Sequence, residues 1–174
     1  MGFVRRRRFA LRLLIAALIT AGSGFAAQAQ IVAFGASNVA GRGVNSSEAF
    51  PAQLERMLAA KGYSVHVANA GISGDTNAGM LARLDQAVPE GTRIVLLGAI
   101  GGTYNANRLG QGDQKTEFAS IVARLRSRGI KIIPVTPSGV GRGDLQADGI
   151  HLNAEGHARL AARLLPAVVA ALGH

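Results

Sequence analysis

Two short stretches of the chain hold residues able to act together as a nucleophile and a base. The first is IVAFGASNVAG, Ile31 to Gly41, in which an apolar run stops at Gly35 and Ser37 follows two residues later. The second is DGIHL, which sets Asp148 three residues before His151 with Gly149 between them. Acyl transfer by a serine needs the hydroxyl, a base in reach, a group that orients the base, and donors for the oxyanion. A turn through Gly149 can bring a carboxylate at i−3 beside the imidazole, where it would fix the tautomer and stabilise the imidazolium. Of the four histidines, His66 lies in an apolar run, His157 in the last helical segment and His174 at the end of the chain. Only His151 falls in a segment between regular elements. Gly71, Gly74 and Asn105 are the candidate oxyanion donors.

Other chemistries are poorly supplied. With no cysteine, neither a disulfide nor a thiolate metal site can form. No histidine pair has the helical spacing of a metal site, so neither metal nor cofactor is expected. Gly35 to Gly41 is rich in small residues but lacks the lysine of a phosphate-binding loop. Arg142-Gly143-Asp144 spells a cell-adhesion tripeptide, which chance explains. Asp75 and Thr76 read as helix caps.

The elements that must position these residues alternate in type. Strand-like runs fall at Ile31–Phe34, Val65–Ala68, Arg93–Leu97 and Lys131–Val135, each short and rich in Val, Ile or Leu, as buried parallel strands are. Between and after them lie amphipathic helical segments. AFPAQLERMLAAKG has Pro51 near its start and Gly62 just past its end. NAGMLARLDQAVP and TEFASIVARLRSRG repeat the apolar spacing. The last helix follows Asn153, a good N-cap. Four alternations predict one α/β domain, a parallel sheet with helices on both faces. Sites in such sheets open at the carboxyl ends of the strands. Ser37, the loop NAGISGDTNAG, the loop GAIGGTYNANRLGQGD and the segment TPSGVGRGDLQADGIHL should therefore share one rim.

The net charge of +9 is concentrated at the N-terminus. MGFVRRRRFALRLLIAALITAGSGFAAQAQ has arginines, then an apolar stretch from Leu13, then Ala27-Gln28-Ala29. That is the layout of a secretory signal peptide over residues 1–29, cleaved after Ala29. Thr20, Gly22, Ser23 and Gly24 dilute the run too much for a permanent membrane span. Arg7-Arg8-Phe9 is a weak twin-arginine match. The expectation is a periplasmic or secreted protein whose residues 30–174 form one domain. Removal of the leader takes five arginines and no acid. No basic run interleaved with aromatics remains, so nucleic acid is not an expected partner; a small-molecule ester or thioester is.

Here the chain resembles the SGNH (GDSL-type) hydrolases, in particular the small bacterial thioesterase/lysophospholipase/arylesterase group. FGASNVAG resembles the first sequence block of that family, and the resemblance implies Ser37 as nucleophile. NAGISGDTNAGMLARL resembles the second and implies Gly74 as an oxyanion glycine. DGIHLNAEGHARLA resembles the last and implies Asp148 as orienting acid and His151 as base. The family implies a three-layer α/β/α, flavodoxin-like fold with a parallel sheet of four to five strands in the order 2-1-3-4. It also implies hydrolysis of short-chain esters or thioesters through an acyl-enzyme on Ser37. A carbohydrate deacetylase and a non-catalytic ligand-binding protein are the alternatives on the same fold.

The chain departs from the family pattern twice. Gly-Asp-Ser-Leu is replaced by Gly35-Ala36-Ser37-Asn38, which keeps the serine and loses the preceding acid. The third block, commonly Gly-Gly-Asn-Asp, reads Gly101-Gly102-Thr103-Tyr104-Asn105-Ala106-Asn107. Aligned on the glycines, Thr103 takes the asparagine position; a loop longer by two residues gives it to Asn105, the preferred oxyanion donor, with Asn107 a further alternative. The loops are short, without a lid-sized insertion, so the site is expected to be shallow and open.

Overall fold

A computed structural model describes residues 31–112, 114–136 and 139–173 of the 174-residue chain. The expected signal peptide and His174 lie outside the described residues. Strands β1 (Ile31–Gly35), β2 (Val67–Gly71), β3 (Ile94–Gly98) and β4 (Lys131–Pro134) are parallel in the order β2-β1-β3-β4. The order agrees with the sequence reading. Among the described residues there is no fifth strand. After β4 the chain makes a single 3-10 turn at Arg142–Asp144 and one antiparallel bridge, Leu145 to Leu152.

Alternation along the central strands divides the core into two layers. Ile31 and Ala33 of β1, with Ile94 and Leu96 of β3, face helices α2 (Phe50–Ala60) and α7 (Ala154–Leu172), where Phe50, Leu54, Leu160 and Leu164 are buried. Val32, Phe34, Val95 and Leu97 face the other way. They meet Met80 of α3 (Asn77–Ala82), Leu84 of α4 (Leu84–Ala87), and Ile121 and Leu125 of α6 (Lys115–Ser127). Both faces of β1 and β3 are covered, which is why these strands read as unbroken apolar runs.

The second strand, expected at Val65–Ala68, is shifted to Val67–Gly71, which leaves His66 just before it, and two further segments differ from the sequence expectation. The helix predicted over NAGMLARLDQAVP is interrupted at Arg83, which separates α3 from α4. The segment after β3, expected to be a loop, is the helix α5 (Ala99–Arg108). Gly101, Gly102, Thr103 and Asn107 are weak helix formers without an apolar stripe, so local propensity does not announce it. Tertiary bonds to the α3 region hold it: Asn77 Nδ2 donates to Thr103 Oγ1 at 2.9 Å, and Asn105 Nδ2 donates to the Asp75 carbonyl at 2.7 Å.

A row of glycines makes room for the turn that carries Ser37. Gly35, Gly71 and Gly98 end three adjacent strands in register. The short helix α1 (Ser37–Ala40) lies against all three. A Cβ on Gly35 or Gly98 would come within 2.5 or 2.6 Å of Val39 Cγ2, and one on Gly71 within 2.2 Å of the Ala40 nitrogen. Only residues without a side chain allow this approach.

Candidate active site

Ser37 opens α1 directly beyond β1, and the turn presents its side chain at the carboxyl ends of the strands. Val39, 2% exposed, anchors that turn by filling the space over Gly35 and Gly98. From the far end of the chain, the loop closed by the Leu145–Leu152 bridge, just before α7, brings His151 over Ser37. His151 Nε2 lies 3.0 Å from Ser37 Oγ, and His151 Nδ1 lies 2.5 Å from Asp148 Oδ2. Gly149, at φ +68°, supplies the left-handed turn between acid and base. The other Asp148 oxygen accepts from the backbone N–H of Ile150 and of His151 at 2.9 and 3.0 Å. The His151 imidazole first, and then these N–H groups, hold the Asp148 carboxyl well below the usual carboxylate range. An ionised Asp148 keeps a proton on Nδ1, which leaves the Nε2 lone pair for the serine.

Asn38 departs from the family pattern, and the structure puts its amide beside His151. Asn38 Oδ1 accepts from Leu152 N at 2.9 Å, and Nδ2 donates to the Ile150 carbonyl at 3.3 Å. The residue next to Ser37 therefore grips the chain on both sides of His151. Gln146 adds a second tie, with Nε2 donating to the carbonyls of Arg42 and Leu152 at 2.7 Å each. Asp144 is 4% exposed, accepts from Gly141 N and pairs with Arg159. It supports the turn, and its burial removes the adhesion tripeptide from consideration. Asn153 caps α7, accepting from Gly156 N at 2.9 Å, as predicted.

The candidate oxyanion donors separate by helix face. Gly101, Tyr104, Asn105 and Arg108 stand at the i, i+3, i+4, i+7 positions of α5 and line the cavity beside Ser37. Thr103 is on another face, its hydroxyl occupied by Asn77, and Asn107 does not line the cavity. Of the three alternatives, Asn105 is the one brought to Ser37. One of its amide hydrogens bonds the Asp75 carbonyl, which leaves a second N–H. Gly74, at φ +84°, also lines the cavity. Gly71 does not serve as a donor, because its N–H bonds Asn69 Oδ1 at 3.0 Å and its Cα supports α1.

The Gly74 loop is held by a residue the sequence reading did not single out. Arg83 Nε pairs with Asp75 Oδ2 at 2.8 Å, and its other nitrogens donate to the carbonyls of Ala70 and Gly35 at 2.9 and 3.1 Å. The guanidinium also lies 4.6 Å from the centroid of the Phe34 ring. One side chain thus joins the ends of β1 and β2 to the loop between β2 and α3. Thr76 caps α3 by accepting from Gly79 N, as predicted. The signal was Asp75 and Arg83 eight residues apart, which is not a spacing at which neighbours on a helix face pair.

The site is deeper than its short loops predict. A cavity of about 240 Å³ starts at Ser37, Gly74, Asn105 and His151 and runs inward. Its inner wall is Val39, Val135, Val140, Leu145, Leu152 and Leu160, and Val39, Leu152 and Leu160 are buried. Exposed Ile100, Tyr104 and Ile150 stand at the mouth. The other described histidines are elsewhere. His66 sits just before β2 and meets Glu55 at 2.8 Å. His157 is buried in the core, stacked on Phe50, and accepts from Phe50 N at 3.2 Å. Among the described residues no cluster of His, Asp and Glu could hold a metal.

The same arrangement of sequence and fold occurs in known proteins. Esterase TesA of Pseudomonas aeruginosa is 32% identical over 108 residues, which span 62% of this chain and 54% of that relative. A crystal structure of TesA superposes with a TM-score of 0.67 at 26% identity, covering 78% of this chain and 96% of that one. The psychrotrophic esterase EstA from Pseudoalteromonas sp., at 17% identity, shares the fold with a TM-score of 0.70 over 83% of this chain and 98% of its own. The sequence model of the GDSL-like lipase/acylhydrolase family matches residues 33–147. With that match spanning most of the described domain, the chain belongs to the GDSL-like lipase/acylhydrolase family.

Proposed function

We propose that the protein is an exported serine ester hydrolase that cleaves short-chain esters or thioesters through an acyl-enzyme on Ser37. The observation that carries this reading is the run of contacts from Asp148 to His151 to Ser37, at 2.5 and 3.0 Å. The esterase activity named for TesA supports it, as does the arginine-led apolar leader for export.

In this reading Ser37 Oγ attacks the substrate carbonyl while His151 Nε2 takes its proton. Asp148 stabilises the resulting imidazolium. The oxyanion is met by the N–H groups of Ser37 and Gly74 and by the free amide hydrogen of Asn105. Collapse breaks the bond to the leaving group, which departs with the proton from His151. Water, deprotonated by His151, then attacks the acyl-enzyme and restores Ser37. Removal of one oxyanion donor from such a site costs roughly 3 kcal/mol in the barrier, so Asn105→Ala should be slowed by about a hundredfold rather than silenced.

The test is hydrolysis of p-nitrophenyl acetate and butyrate by the wild type, Ser37→Ala and His151→Ala. The two variants should lose about four orders of magnitude or more in kcat, and a fluorophosphonate should label the wild type at Ser37 alone. A folded wild type no faster than the variants overturns the proposal.

A further inference from the structure

The cavity beside Ser37 has a cationic rim as well as an apolar interior. Arg42, in the turn after α1, and Arg108, at the end of α5, both line it. Neither guanidinium has a hydrogen bond or ion pair among the described residues. Most other arginines of the domain do: Arg56 donates to a carbonyl, while Arg83, Arg124 and Arg159 pair with carboxylates. Among the described residues no Asp or Glu lines the cavity to offset the two charges. The inner wall is aliphatic, from Val39, Val135, Val140, Leu145, Leu152 and Leu160. The reacting serine lies in the same continuous space. A cleft lined by one sign of charge over low-dielectric walls concentrates ligands of the opposite sign, and guanidinium groups suit carboxylates, sulfonates and phosphates through paired N–H donors.

We infer that the preferred substrate is an ester or thioester whose leaving group carries an anion, with Arg42 and Arg108 receiving that anion while the acyl group enters the aliphatic interior. This rests on the ester-hydrolase reading above and names the substrate class for it. Hydrolysis then breaks the bond from the acyl carbon to oxygen or sulfur, releases the anionic alcohol or thiol with a proton, and leaves the acyl group on Ser37 for water to remove. Charge separates the two products. The anionic leaving group is held at the rim, and the acyl chain is held by burial of its methylenes.

The experiment compares phenyl butyrate with 4-sulfophenyl butyrate, each rate divided by its hydroxide-catalysed hydrolysis rate to remove the difference in leaving-group reactivity. The quantity read is the ratio of kcat/KM for the sulfonated over the neutral ester. In the wild type it should exceed about 10, and in Arg42→Gln/Arg108→Gln it should fall at least about tenfold, as loss of charge-assisted contacts implies. Arg42→Lys/Arg108→Lys should recover part of it. Raising salt from about 0.02 to 0.5 M should lower the wild-type ratio, because exposed charges are screened. A wild-type ratio near one, or a ratio unchanged in the glutamine variant, overturns the inference. Phenyl butyrate hydrolysis that disappears in Ser37→Ala shows that the hydrolase reading survives such a result. Absence of hydrolysis of both esters by folded wild type defeats the hydrolase reading itself.

Discussion

Asn38 shows how one side chain can set the distance between Ser37 and His151, the proposed nucleophile and base. Its amide bonds the backbone at Ile150 and Leu152, on either side of His151. Asn38→Leu, which restores the family's common residue, removes both bonds and frees the base to drift. The expected outcome is a fall in kcat and in fluorophosphonate labelling of about 10- to 100-fold, the usual scale for a misplaced catalytic group, with KM nearly constant. Asn38→Asp keeps the acceptor for Leu152 and should lie between the two; equal rates in all three would show that the base is fixed without this amide. Asp148 acts through charge. Because its carboxyl is held below the usual range, it stays ionised as pH falls through the region where free carboxylates titrate. The pH profile of kcat/KM should therefore show no inflection from Asp148 between about pH 4 and 5, and Asp148→Asn should lower kcat by about 10⁴ near neutral pH. Ala36 explains the lost family acid. It is 2% exposed, and a Cβ on Gly101 would lie 2.9 Å from its own Cβ, so α5 occupies the space an aspartate would need.

At the scale of elements, the site depends on close approaches that no single segment reveals. Gly71→Ala places a methyl within 2.2 Å of the Ala40 nitrogen and forces α1 away from β2. A drop in thermal stability together with slower labelling of Ser37 is expected, at about 1–3 kcal/mol for an overpacked contact. Arg83→Met leaves Asp75 facing a mostly buried space without its cation. Breaking such a pair costs about 3–5 kcal/mol, measurable by urea unfolding, and a cost below about 1 kcal/mol would mean that the loop is held by its backbone alone. The strands and the long helices α2, α6 and α7 were legible because apolar periodicity marks them. The break at Arg83 was not, since an arginine on a helical face looks solvated until Asp75 and two carbonyls are brought to it. Helix α5 was missed for a related reason: its donors Asn77 and Asn105 act between segments, and neither leaves a periodic trace.

Across the whole molecule, His157 joins α7 to the start of α2 and makes stability depend on acidity. Its ring is fully buried against Phe50, and burial pushes its pKa down from 6.5 to about 4. In that range the unfolded chain binds a proton that the folded one does not, so stability is intact above about pH 6.5 and declines as pH falls toward 4. The loss attributable to this residue is at most about 3 kcal/mol. Urea midpoints measured between those pH values should fall less steeply in His157→Gln than in the wild type, and parallel slopes would remove His157 as the cause. The Nε2 atom of His157 is buried without a hydrogen-bond partner, and the Glu48 charge offsets only part of the cost of burying a charged ring.

Sequence alone determined the alternation of strands and helices, the two-sided core and the order along the chain of the residues proposed for catalysis. These follow from hydrophobic periodicity and from three local patterns around Ser37, Gly74 and His151. It also limited the oxyanion residue to three choices. Tertiary structure places one of them, Asn105, on the cavity that Ser37 lines, because that placement depends on which face of α5 turns to the cavity, and that face is set by bonds to Asn77 and Asp75 in a different segment. Tertiary structure likewise decided the depth of the cavity, which depends on how β4, α7 and the turn at Arg142–Asp144 meet. Periodicity records what a segment buries, whereas the meeting of distant segments is governed by contacts that have no fixed spacing along the chain.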